Sequence, residues 1–141
     1  MIKFEKLPED ILTKLAEGKK VLRDDNNVIF AYLFGGLAEG KVSPLSDIDI
    51  AVFLKPTHDV VEYKLGLFER LADSLGTSEI DLVILNTAPI SLTGRILQKK
   101  QILIDKEPPR RHEFESVSLR KFFDFKKKED LYFLRRYGIG G

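Results

Sequence analysis

The stretch "SDIDIAVFL", residues 46–54, constrains the fold of this chain more than any other. Ile48, Ile50, Val52 and Leu54 recur at every second position, the period of a strand with one buried face. Asp47 and Asp49 fall on the opposite face, where side chains two residues apart project together. Such a strand is stable only inside a sheet, so the chain must supply it with neighbours. Two adjacent carboxylates on a half-buried surface repel each other unless a positive group stands between them. A divalent cation with oxygen ligands meets that need, and Mg²⁺ characteristically takes one or two carboxylates together with substrate phosphates.

The neighbours are legible. "NNVIFAYLF" (26–34) and "EIDLVIL" (79–85) read as strands, and "ILI" (102–104) as a short one. Between them, "LPEDILTKLAEGKKVL" (7–22) reads as a helix with Ile11, Leu15 and Leu22 on one face. "HDVVEYKLGLFERLADSLG" (58–76) reads as an amphipathic helix whose inward face is Val61, Leu65, Phe68, Ala72 and Leu75, closed by Gly76. "PISLTGRILQKKQ" (89–101) is a further helix, and Pro108-Pro109 is read as a break before a helical segment over 110–137. This order predicts an α/β (α+β) fold, a small mixed sheet flanked by helices. With 141 residues, one domain over 1–141 is expected, its C-terminal part 110–141 being helical.

Composition removes several classes of function. There is no cysteine and only two histidines, His58 and His112, which excludes disulfides and thiolate zinc sites and leaves no histidine-rich metal centre. A formal charge of +1 speaks against general nucleic-acid binding. No apolar run approaches the ~18 residues of a membrane span, so a cytoplasmic protein is expected.

"FGGLAEGKV" (34–42) comes close to a phosphate-binding P-loop, with Gly35, Gly40 and Lys41 correctly spaced but Val42 in the place of Ser or Thr. A P-loop lysine must open a helix, and Ser43-Pro44 with a strand beginning near Asp47 leaves no room for one. The glycines are better read with the acids that follow. Gly35 and Gly36 allow backbone amides to approach a triphosphate closely, and Asp81, on the face of its strand opposite Ile80, Leu82 and Ile84, can converge on Asp47 and Asp49. Three such acids can support two metal ions in an in-line phosphoryl transfer.

A strand, Gly-Gly, ten residues and Asp-x-Asp ("GGLAEGKVSPLSDID"), with a later strand acid at Asp81, resembles the signature of the nucleotidyltransferase superfamily. The short length and "APISLTGRILQKKQILID" resemble its minimal members, the MntA-type antitoxins paired with HEPN-domain toxins, over residues 25–106. The resemblance implies transfer of AMP from ATP, with Mg²⁺, to a tyrosine of a HEPN-type toxin, and a complex with that toxin. It implies Asp47, Asp49 and Asp81 as catalytic and metal-binding residues, and Gly35, Gly36 and Ser46 as the holders of the triphosphate. Two positions depart from it: Gly36, where a serine is common, and Glu39, where an arginine is common. They keep open a second function, that of a module which neutralises its partner by contact alone.

Residues 110–137 hold seven of the chain's aromatic side chains, Phe114, Phe122, Phe123, Phe125, Tyr132, Phe133 and Tyr137. Phe122, Phe123 and Phe125 cannot all face one core from one helix, so some are expected to meet a partner protein. Of the adjacent pair, one of Phe122 and Phe123 is expected in the core and the other at the contact surface.

Overall fold

The computed structural model describes residues 11–40, 47–57 and 59–138. In chain order these form α1 (Ile11–Asp24), β1 (Val28–Phe34), α2 (Gly35–Ala38), β2 (Ile48–Leu54), α3 (Val60–Leu75), β3 (Ile80–Ile84), α4 (Ile90–Gln98), β4 (Gln101–Asp105) and α5 (Pro108–Tyr137). The four strands make one mixed sheet in the order β3-β2-β1-β4. β1 runs antiparallel to both β2 and β4, and β2 runs parallel to β3. The expected fold class is the one observed.

The alternation in β2 sorts the molecule into two layers. Ile48, Ile50, Val52 and Leu54 enter a core shared with Leu22 of α1, Leu67, Leu71 and Leu75 of α3, and Leu82 and Ile84 of β3. Ala51, with Phe53 packed beside it, faces the second core, made with Phe30 and Tyr32 of β1 and with Ile96 and Leu97 of α4. The bulge between Val28 and Phe30 turns Ile29 and Phe30 to this second face in succession.

The structure corrects the inward face expected of α3. Val61 and Leu65 are 71% and 62% exposed and Leu67 and Leu71 are buried instead, while Leu75 is buried and Phe68 packs against the core as expected. The helix carries two apolar stripes that share Leu75, and the core with β2, β3 and α1 takes up the one through Leu67 and Leu71. Gly18 of α1 leaves Leu75 close to the backbone, where an added Cβ would lie 3.1 Å from Leu75 Cδ2. The helix closes at Gly76 as expected, left-handed at φ 71°, and at its start Asp59 accepts from Glu62 N–H at 2.9 Å.

Pro108-Pro109 also acts otherwise than expected, since the pair opens α5 rather than breaking the chain ahead of it. Proline suits a first helical turn because the N–H it lacks has no intrahelical acceptor there. α5 is anchored by a polar network as well as by packing. Tyr32 donates its hydroxyl proton to Glu115 at 2.7 Å, and Arg111 bonds both Asp105 at 2.8 Å and Glu115 at 3.0 Å. Lys100 adds an ion pair to Glu115 at 3.3 Å. Further along α5, Phe122 is buried over Gly94 of α4, at a place where any Cβ would overlap its ring. Phe123 is 50% exposed, so burial divides the adjacent pair as expected. Beyond it Leu131, Tyr132, Phe133, Leu134 and Tyr137 remain exposed.

Residues 7–10, the start of the first helix as read from the sequence, lie outside the described residues, as do Lys41, Ser43, Ser46, His58 and residues 139–141. Among the described residues no helix is long and apolar enough to cross a membrane.

Candidate active site

The acids lie at one end of the sheet, where β1 ends and β2 and β3 begin. Parallel pairing sets Asp49 directly opposite Asp81. Neighbouring strands stand about 4.8 Å apart, so the two backbones present their carboxyl groups side by side. Both residues lie on the face away from Ile48, Ile50, Ile80 and Leu82, which are held in the first core. Asp47 immediately precedes β2 and is half-buried, like Asp49, whereas Asp81 is exposed.

On the other side of Asp49 stands the end of β1, with Phe34 as its cross-strand partner. Here the structure refines the turn expected at Gly35-Gly36, because the two glycines open the single helical turn α2. Gly35 has φ +70°, and a Cβ there would overlap the Oδ2 of Asp49. Only glycine satisfies both conditions. Glu39 N–H returns to Gly36 C=O at 3.2 Å and closes the turn, while Leu37 is buried and ties it to the first core. Among the described residues the helical turn here is α2, ahead of Lys41 in the chain, whereas a P-loop carries its helix after the lysine.

Sequence reasoning missed the partner of Glu39. Its carboxylate pairs with Lys99 at 3.3 Å, just beyond α4, and Gln101 donates to the carbonyl of Ala38. The end of α2 is therefore tied to the start of β4. No local signal joins residues so distant in the chain.

What this end of the sheet offers a ligand is carboxylate oxygen. The donors are carboxylate oxygens, the type Mg²⁺ prefers, and the missing side chain of Gly35 keeps Asp49 clear. Among the described residues no three acidic or histidine side chains converge closely enough to hold an ion by themselves. Mg²⁺ at this site would complete its shell from substrate phosphates and water, its usual habit.

Comparison with known proteins places the fold. The profile of the family described as polymerase beta nucleotidyltransferase matches residues 17–109, about two thirds of the chain. The chain belongs to that family. Its fold is similar to a chain of the complex of tri-AMPylated Shewanella oneidensis HEPN toxin with MNT antitoxin, at TM-score 0.68 and 23% identity, covering 86% of this chain and 93% of that one. It is similar also to a chain of a toxin–antitoxin complex with AMP-PNP, at TM-score 0.66 and 24% identity, over 86% and 93% of the two chains. A further structure from Shewanella oneidensis matches at TM-score 0.62 and 20% identity, over 93% of this chain and 98% of its own. No curated protein matches the chain.

Proposed function

We propose that this chain is a Mg²⁺-dependent nucleotidyltransferase that moves AMP from ATP to a tyrosine hydroxyl of a HEPN-type toxin, and so acts as that toxin's antitoxin. One observation carries the reading: Asp49 stands in register with Asp81 on one side and against the side-chain-free Gly35 on the other. Family membership supplies the reaction class. The structural neighbours, which include an AMPylated HEPN toxin and an AMP-PNP complex, supply the acceptor and the donor by analogy.

In this reading Gly35, Gly36 and Ser46 hold the triphosphate, and Asp47, Asp49 and Asp81 act on the metal and the acceptor. Mg²⁺, when bound, offsets the negative charge of the triphosphate and of the leaving pyrophosphate. The acceptor oxygen forms a bond to the α-phosphorus while the bond from that phosphorus to the bridging oxygen breaks. Pyrophosphate departs, and the hydroxyl proton passes to the Asp81 carboxylate and then to water. Asp47 and Asp49 would hold the Mg²⁺, whose charge lets these carboxylates stand beside the phosphates.

Calorimetric titration with AMP-PNP and Mg²⁺, followed by incubation with labelled ATP and a HEPN-type partner, tests the proposal. Label on a partner tyrosine is expected. A chain that binds the partner but takes up no nucleotide would instead be the contact-only module.

A further inference from the structure

β3 is an edge strand, and a groove of about 690 Å³ runs beside it. On one side α3 lines it with Val61, Leu65 and Phe68, and on the other the start of α4 lines it with Pro89 and Leu92. Asp81 forms part of the same wall. Val61 and Leu65 are the apolar residues of α3 that the core does not use, so this groove is where their exposure falls.

Backbone geometry says what the groove is suited to receive. Ile48 N–H bonds Glu79 C=O at 3.0 Å, and Leu85 N–H bonds Val52 C=O at 2.8 Å. In a parallel ladder that phase turns the backbone of residues 79, 81, 83 and 85 toward β2, and that of Ile80, Leu82 and Ile84 toward the open edge. Ile80 N–H is engaged by Ser78 C=O and Ile84 C=O by Thr87 N–H. Among the described residues, both groups of Leu82, the C=O of Ile80 and the N–H of Ile84 remain at the edge, the pattern an added strand requires.

We propose that this groove seats an extended segment of the acceptor polypeptide, which pairs with β3 at Leu82 and sets a side-chain hydroxyl beside Asp81. The inference rests on the reading of the chain as a protein nucleotidyltransferase, and it names the acceptor's conformation and place. The sheet order supports it. Across the sheet end come Gly35, just past the end of β1, then Asp49 on β2 and Asp81 on β3, so the donor phosphates and the acceptor would flank the acids from opposite sides. A residue opposite Asp81 on an added strand has its Cβ about 4.5–5.5 Å from that of Asp81, on the same face. Apolar side chains on the other face of the segment would meet Val61 and Leu65.

The probe is a capped hexapeptide of alternating valine and tyrosine, titrated into ¹⁵N-labelled protein and followed at the amides of Leu82 and Ile84. These two amides are expected to shift most. Leu65→Lys should weaken binding at least tenfold without changing the melting temperature or AMP-PNP affinity, and N-methylation of alternate peptide amides should do the same. The proposal is overturned if the shifts lie elsewhere or are absent, if the N-methylated peptide or the Leu65→Lys protein binds as well, if ATP alone moves these amides, or if β3 pairs with a second copy of the chain. Failure of the transferase reading is distinct: the peptide would dock as described but receive no AMP with ATP and Mg²⁺ present.

Discussion

The carboxylate of Asp49 occupies the space where any side chain on Gly35 would begin, although the two residues belong to different elements. Gly35→Ala must therefore move the acid or the turn. It also places a Cβ at φ +70°, at a cost of about 1 kcal/mol or more. A modest fall in melting temperature is expected together with loss of AMP-PNP binding. Wild-type nucleotide affinity in this variant would dissociate the turn from the site.

The acids themselves should separate into two roles. Asp47→Asn and Asp49→Asn are each expected to abolish transfer while leaving the protein as stable as before or slightly more so, because each relieves repulsion between neighbouring carboxylates. Asp81→Asn should lower turnover far more than nucleotide affinity, since its work lies in the transition state. Single-turnover rates and calorimetry on the three variants decide this. Unfolding of the Asp47 or Asp49 variant would make those acids structural.

Phe122 and Phe123 are sequence neighbours with opposite surroundings. Truncating Phe122, which lies 7% exposed against Gly94, should cost about 3 kcal/mol of folding stability. Phe123→Ser should leave the melting curve unchanged and weaken the complex with a HEPN-type partner about tenfold, the scale of an aromatic anchor. Chemical denaturation of the first variant and a binding titration of the second test the division. A stable Phe122→Ala protein would remove Phe122 from the core.

The Tyr32–Glu115–Arg111 network makes stability depend on pH at both ends. Burial opposes the Glu115 carboxylate, but the Tyr32 hydroxyl, Lys100 and Arg111 outweigh it and hold its pKa below the usual value. Its contribution is thus present above the unfolded pKa of about 4.3 and lost as pH falls through the lower folded value. Burial, reinforced by Glu115, raises the pKa of Tyr32 well above the ordinary phenol range. That contribution is present below about pH 10 and lost as pH rises further. Melting temperatures should show a shallower acid limb for Glu115→Gln and a shallower alkaline limb for Tyr32→Phe. Limbs identical to wild type would show that the network does not couple to folding.

Alternation alone determined much of this protein. "DIDIAVFL" and "EIDLVIL" each place apolar residues on one face and acids on the other, and both strands formed with those faces, because period two is a property of the backbone. Gly-Gly at a fixed distance before Asp-x-Asp marked the candidate site through its resemblance to the nucleotidyltransferase signature. Other features depended on partners far away in the chain. α3 carries two apolar stripes that share Leu75, and only the assembled core decided that Leu67 and Leu71 turn inward while Val61 and Leu65 stay out. The proline pair could end one helix or open another, and the fold used it to open α5. The alignment of Asp49 with Asp81 required β2 and β3 to pair in parallel in one particular register. A strand's sequence states which way each side chain faces, but which residue stands beside it is settled only when the sheet assembles.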